Sequence, residues 1–425
     1  YRTMIRLLPA TLRKMRLAFA HTGALACSLA AALCVAPLPA LQAQHPWVHE
    51  VPPVSAEEFP ILAWNPSPSD AASLALMKEA GLNVSGFCQI EDLDKVRAAG
   101  LACAVSYQPL RELIERGVAT DAEIRQIVAD LKARIGTHPA AFGVNLRDEP
   151  SAARMPFLGR IAAELRRAMP DKLPYINLFP NYAAPQLLGT DSYDAYLRAY
   201  LKHIPLPYLS WDNYSLLGGE MEPRFYDNLE QARRVTLEAG IPFWNCVLAN
   251  AHFNYSEPTD AGFHLQVYST LAYGGRGIQF FTYFTPGSGN YRLASIDANG
   301  NKTATWDMLR RIALQVHALA PSLAKLRSTG VYHWPVSTAA GTPLVEDLRS
   351  GGRFLVGEFA DGQGRPWLML VNKDLKESAP FRVKLRNPKA TLLRISPASG
   401  KEGPLGNEGG WLAPGAGVLL RVTEE

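Results

Sequence analysis

A chain of 425 residues with 48% hydrophobic side chains can bury more than one small core, and a 19% charged fraction excludes a disordered or fibrous polymer. The formal charge of +4 is concentrated at one end. Residues 1–43 carry Arg2, Arg6, Arg13, Lys14 and Arg16 and no acid, which leaves 38 basic against 39 acidic residues elsewhere, a net of −1. That balance excludes a strongly basic surface, and with it nucleic acid or an anionic membrane as the expected partner.

In chain order, residues 1–43 read as a secretory signal peptide. The basic start is followed by an apolar run of roughly 14 residues, from about Gly23 to Ala36, and by the small residue Ala43. The run is short for a membrane span and prolines follow it closely. The expectation is an exported protein, periplasmic or extracellular, with no membrane contact after cleavage. Beyond the leader stand Cys88, Cys103 and Cys246, each in an apolar run and without metal-ligand spacing. They read as buried free thiols, with a bond between Cys88 and Cys103 on adjacent strands as the alternative. No metal site and no cofactor site is expected.

From about Phe59 to Leu326, short apolar runs alternate with amphipathic helical ones, the pattern of a parallel sheet wrapped by helices. Eight strands are predicted: Ile61–Trp64, Asn83–Cys88, Ala102–Ser106, Ala141–Leu146, Tyr175–Leu178, Tyr208–Trp211, Pro242–Val247 and Gly277–Tyr283. Three helices end in one grammar, with Gly81, Gly100 or Gly240 at the position after the helix and a strand behind it. Thr120 and Glu123 form a capping box ahead of the helical stripe Ile124, Ile127, Val128 and Leu131. Eight such units match a (β/α)8 TIM barrel over 44–326. After Leu326 the runs alternate instead: Arg353–Glu358, Pro366–Val371, Phe381–Leu385, Thr391–Ile395 and Val418–Val422. Turns rich in Gly, Asn, Asp and Pro separate them, so 327–425 reads as a small antiparallel β-sandwich.

The most informative stretch is Arg147-Asp148-Glu149-Pro150, where the fourth strand surfaces. Neighbours on a strand point to opposite faces, so continued extension would send only one of the two carboxylates into a pocket. Carboxylates at the carboxyl end of a barrel strand suit proton donation to a glycosidic oxygen. The plainer reading makes Asp148 a helix cap and Glu149 a solvated or ion-paired side chain.

The stretch from Gln266 through Gly274-Gly275-Arg276-Gly277 to Tyr283 resembles the seventh helix and eighth strand of clan A glycoside hydrolases, above all the barrel domain of family 42 β-galactosidases. Asp297-Ala298-Asn299-Gly300, Trp306 and the helix to Leu319 are similar to the way those barrels close, and the segment Trp411–Val418 to their accessory domain. The resemblance implies an O-glycoside hydrolase acting on an oligo- or polysaccharide, with Glu149 at the place of the fourth-strand acid/base. Two positions depart from that pattern. Asp148 stands where Asn is usual, and the seventh strand, Phe243-Trp244-Asn245-Cys246-Val247-Leu248, offers no carboxylate for the nucleophile.

Glycoside hydrolysis normally needs two carboxyl groups. Asp212, ending the sixth strand in Ser210-Trp211-Asp212-Asn213-Tyr214, is one second partner, since clan D α-galactosidase barrels pair acids from the fourth and sixth strands. Asp148 is another, because adjacent Asp-Glu pairs resemble the substrate-assisted hexosaminidases of families 20 and 123. Glu220 and Glu222, in a glycine-flanked loop, are the third. Aromatic and amide side chains recur after the predicted strand ends: Trp64, Asn65, Tyr107, Asn177, Tyr182, Trp211, Tyr214, Trp244, His252 and Tyr283. Rings stack on sugar faces and amides bond hydroxyls, so these are the candidate substrate-binding residues. The alternative is a non-catalytic carbohydrate-binding protein on a degenerate barrel. A barrel of other chemistry finds no nucleophile elbow, phosphate loop, dinucleotide fingerprint or metal cluster here.

Overall fold

The computed structural model describes residues 59–424 except Ser67, 336–340 and Asn407, so the leader predicted over 1–43 lies outside the described residues. Eight parallel strands form the first sheet: β1 (Ile61–Ala63), β2 (Val84–Cys88), β3 (Ala102–Val105), β4 (Ala141–Asp148), β5 (Leu173–Asn177), β6 (Leu209–Asp212), β7 (Phe243–Leu248) and β8 (Ile278–Phe281). Each lies on a predicted strand, with ends moved by no more than two residues. They pair in the order β5-β4-β3-β2-β1-β8-β7-β6. The Leu178 N–H then donates to the Ser210 carbonyl at 2.8 Å, beside a parallel bridge between Leu178 and Trp211, and the sheet closes into a barrel.

Every residue of β2, β5, β6 and β7 is buried. Parallel strands between a filled bore and a helical layer have no wet face, which is why their sequences read as apolar runs. The helix signals act as expected. Thr120 and Glu123 exchange the two capping-box bonds at the start of the helix Asp121–Ile135. Gly240 takes a left-handed φ of 69° to end the helix Arg224–Ala239 and release the chain into β7. Cys88 and Cys103 are bonded rather than free, across β2 and β3 at a Cα separation of 6.1 Å that suits a disulfide. Cys246 is a buried free thiol, as expected.

Rings fill the amino-terminal half of the bore. Trp244 stacks on Tyr208 at 4.3 Å, Phe142 lies 6.0 Å from Trp244, and Tyr175 lies 6.4 Å from Tyr208. Gly277 makes room for the indole, since a Cβ there would stand 2.5 Å from Trp244 Cδ1.

After the helix Ala304–Leu323 come β9 (Leu326–Trp334), β10 (Val345–Ser350), β11 (Phe354–Asp361), β12 (Pro366–Asn372), β13 (Ala379–Leu385), β14 (Ala390–Ile395), β15 (Glu402–Pro404), β16 (Gly410–Leu412) and β17 (Gly417–Glu424). Two antiparallel sheets result, β9-β11-β12-β17-β14-β15 and β10-β13-β16, the β-sandwich expected. Four of these strands escape the sequence reading: β9 and β10 because polar residues interrupt their apolar positions, and β15 and β16 because they span only three residues each. The central strands of the larger sheet, β11 and β12, are buried on both sides. Phe354, Val356, Leu368 and Leu420 face the smaller sheet, while Phe359, Trp367, Met369 and Leu419 join the barrel's own core. The approach is close enough that a Cβ on Gly357 would lie 2.4 Å from the Ala272 carbonyl oxygen, at the end of the barrel helix Asp260–Ala272. The described barrel and sandwich residues accordingly form one compact unit.

Candidate active site

β4 delivers its acids at the carboxyl end of the barrel. Arg147 turns outward and pairs with Glu115 of the helix Gln108–Arg116. Strict alternation would then separate Asp148 from Glu149. The chain departs from it at once: Glu149 takes φ 47°, a left-handed conformation uncommon for a side-chain-bearing residue. Its N–H donates to the Asn177 carbonyl at 2.8 Å, which holds that turn. Conformations of this kind cost of order 1–3 kcal/mol and gather at functional sites.

Asp212 ends β6 on the inward side, between Trp211 and Asn213, and is buried. One nitrogen, Asn177 Nδ2, donates to Asp148 Oδ1 at 3.2 Å and to Asp212 Oδ1 at 2.8 Å. Those two oxygens are therefore no farther apart than the two bonds laid end to end, 6.0 Å. A buried relay sets the orientation of that amide. Tyr175 donates to Gln279 Oε1, Gln279 Nε2 to Ser210 Oγ at 2.7 Å, and Ser210 Oγ to Asn177 Oδ1 at 2.9 Å. Every link donates toward the carboxylates. With its oxygen taken by Ser210, Asn177 has only N–H to offer them.

Three acids this close cannot all ionise. Burial, and then the Asp148 charge, push Glu149 up to about 8. Burial among the neighbouring acids and rings pushes Asp148 up to about 6, opposed by the Asn177 hydrogen bond and the Arg147 charge, although the residue as a whole is exposed. Asp212 is driven well above the ordinary carboxylate range by burial and by the Glu149 and Asp148 charges. Near neutral pH Asp148 is the ionised carboxylate beside a protonated Glu149, with Asp212 biased toward its neutral form by burial and by its acidic neighbours. Environments that separate acids in this way create a donor and an anion in one site.

The wall around them is aromatic. Tyr214 stacks on Phe281 at 5.2 Å, Trp64 lies 5.5 Å from Phe281, and His252 lies 5.5 Å from Phe281 and 4.9 Å from Tyr255 and from Tyr291. Asn65 lies half-buried beside Trp64. Tyr182 accepts from the Tyr214 N–H at 3.0 Å, and burial with the Asp212 charge pushes its phenol up. Burial lowers His252 to about 4, so it is neutral at pH 7. Its tautomer follows from its neighbours. Thr282 Oγ1 donates to the Phe284 carbonyl and accepts from Asn250 Nδ2, so Asn250 presents its oxygen to His252 Nδ1, which carries the proton. Nε2 remains as an acceptor.

Of the residues expected here, Asp148, Glu149, Asp212, Asn177, Trp64, Asn65, Tyr182, Tyr214 and His252 lie at this end. Four do not line it. Trp211 faces the helical layer and packs on Phe243 at 5.3 Å, since Ser210 and Asp212 occupy the inward positions of β6. Trp244 points inward but fills the floor of the bore. Tyr107 turns under Arg134 of the helix Asp121–Ile135, 5.6 Å from its ring. Tyr283 is wholly buried, its hydroxyl accepting from Trp306 Nε1 at 2.9 Å. Phe281 is the residue missed in its stead: β8 ends there, two residues short of the predicted end, and its parity with inward Gln279 was the available signal. Tyr255 follows the seventh strand with His252, a placement the sequence offers, whereas Tyr291 comes from a later loop and had no such signal. Glu220 is drawn to the surface by Lys376 of the sandwich at 3.0 Å. Among the described residues no group of three His, Cys, Asp or Glu side chains is placed to hold a metal ion.

No protein family's sequence pattern matches the chain, and no curated protein matches it in sequence. Solved structures do match in shape. A family 5 glycoside hydrolase from Bacteroides vulgatus superposes with a TM-score of 0.54 at 13% identity, over 86% of this chain and 90% of that one. A second glycoside hydrolase gives 0.54 at 12%, over 86% and 93%. The fold is that of (β/α)8-barrel glycoside hydrolases. A β-galactosidase from the psychrophilic Marinomonas ef1 aligns at 12% identity and a TM-score of 0.47, over 63% of this chain, which spans 62% of its length.

Proposed function

We propose that the protein is an exported glycoside hydrolase that cleaves O-glycosidic bonds of an oligo- or polysaccharide. Glu149 is its general acid or acid/base. The observation that carries this reading is the raised Glu149 carboxyl beside a less perturbed Asp148, with Asp212 tied to Asp148 through Asn177. A protonated Glu149 supplies the leaving oxygen with its proton. The ionised Asp148 serves the anomeric centre, as a carboxylate or by orienting a substituent that attacks it. Asp212, buried, holds the Asn177 amide between the two aspartates. The half-buried rings of Trp64, Phe281, Tyr214 and Tyr291 suit sugar faces, and His252 Nε2 suits a hydroxyl. Export is supported by the leader-like residues 1–43 and by the Cys88–Cys103 disulfide, a bond that persists in oxidising compartments.

A second reading, carbohydrate binding without cleavage, is favoured by one feature: β7 ends in buried Leu248, and no acid stands at the place the nucleophile takes in clan A enzymes. Release of reducing ends from a broad glycan panel separates the two. Under the proposal the wild type releases product, and Glu149→Gln lowers kcat by about 100-fold or more with the fold intact. Binding without product release establishes the second reading.

A further inference from the structure

Among the described residues, Arg224 is a cation near the mouth that no acid neutralises. Arg224 opens the helix Arg224–Ala239, half-buried, with its guanidinium carbon 4.7 Å from the centre of the Tyr182 ring. Its Nε is buried without a hydrogen-bond partner, and among the described residues neither Nη nitrogen makes a hydrogen bond or an ion pair. Most other arginines of the barrel surface are paired: Arg116 with Glu123, Arg147 with Glu115, Arg160 with Asp121 and Arg311 with Asp260. A guanidinium removed from water along one edge and left unpaired costs stability, so its retention calls for a partner that arrives from outside.

Its neighbours place it on the wall of the site. Tyr182 and Tyr255 both lie within electrostatic reach of Asp212, and Tyr255 within reach of Arg224 and Glu149 as well. One aromatic layer therefore separates the guanidinium from the acids. The Tyr182 ring packs against the guanidinium, whose planar fork is suited to receive a carboxylate or sulfate through two parallel N–H bonds. The floor of the mouth is acidic and repels a negative substituent, whereas this wall attracts one. An anionic sugar unit would thus be held to the side, away from the bond being protonated.

We infer that Arg224 is a specificity determinant for an anionic sugar, a uronate or a sulfated residue, seated beside Tyr182 and Tyr255. This inference rests on the glycosidase reading for the identity of the site, and binding tests it without catalysis. The full chain carrying Glu149→Gln is titrated calorimetrically with galacturonate, mannuronate and hyaluronan hexasaccharides, with sulfated chondroitin hexasaccharide, and with cello-, xylo- and mannohexaose as neutral controls. The uronate and sulfate arms tell the two anions apart. At least one anionic ligand should bind more tightly than every neutral control. Adding Arg224→Gln should then lower the anionic-to-neutral affinity ratio by roughly tenfold to a hundredfold, the worth of a charge-assisted bond pair. Arg224→Lys, which keeps the charge and loses the fork, should restore part of that ratio, and melting temperatures no lower than the parent's confirm intact folds. No anionic preference, or a preference indifferent to both Arg224 variants, overturns the inference. If the wild type cleaves nothing while the Arg224-dependent preference persists, the glycosidase reading fails and this one stands. Cleavage of neutral glycans with no anionic preference does the reverse.

Discussion

The two ends of the barrel bore are built on the same strands to opposite specifications. At the amino-terminal end Trp244, Tyr208, Phe142 and Tyr175 fill the space with rings at 4.3 to 6.4 Å, and Gly277 yields its side chain to the indole. At the carboxyl end three carboxyls crowd together, one of them on a backbone turned left-handed at φ 47°. The floor contributes stability, and the mouth gives some of it up. The same aromatic residue type thus carries different meaning by height along a strand: Trp244 is packing, while Trp64 is wall.

Substitutions at the two ends should separate activity from stability. The largest effect is expected at the mouth, where Glu149→Gln removes about 100-fold or more of kcat without lowering the melting temperature. At the floor, Trp244→Ala should cost about 3–5 kcal/mol in urea unfolding, yet leave kcat per folded molecule within a few-fold. A Trp244→Ala protein of normal stability and lost activity would break the division. A third test is the pH profile of kcat/KM. The rate should climb as Asp148 ionises through about 6 and fall as Glu149 loses its proton through about 8, giving a bell whose limbs belong to the cluster as a whole. A flat profile from pH 5 to 9 contradicts the assignment.

The last effect concerns stability itself. The Glu149 carboxyl sits at about 8 in the fold against an ordinary 4.5. Below 4.5 both folded and unfolded chains hold the proton, and nothing is lost. Between 4.5 and 8 only the unfolded chain ionises, so the wild type loses stability as pH rises, and above 8 the penalty is constant. Glu149→Gln carries no such penalty. Its melting temperature should exceed the wild type's by more at pH 9 than at pH 4.5, measured by calorimetry in matched salt.

What was legible in the sequence follows from local pattern. Apolar runs set eight strands to within two residues, because strands buried on both faces admit few polar residues. Gly81, Gly100 and Gly240 marked helix ends, since a left-handed residue there suits glycine (φ 84°, 68° and 69°). Asp148, Glu149 and Asp212 stood out as acids ending apolar strands. Tertiary structure alone decided the rest. Whether Asp148 and Glu149 could share a mouth depended on a bond from Glu149 N–H to Asn177, a residue 28 positions away. The direction of Asn177 depended on Gln279 and Tyr175, which reach it across the bore. Trp211, Trp244, Tyr107 and Tyr283 were assigned to the mouth because type and approximate position cannot report height or side. The pairing of Asp148 with Asp212 and the isolation of Arg224 arise from contacts distant in the chain, and charge, unlike apolarity, leaves no period from which such contacts can be read.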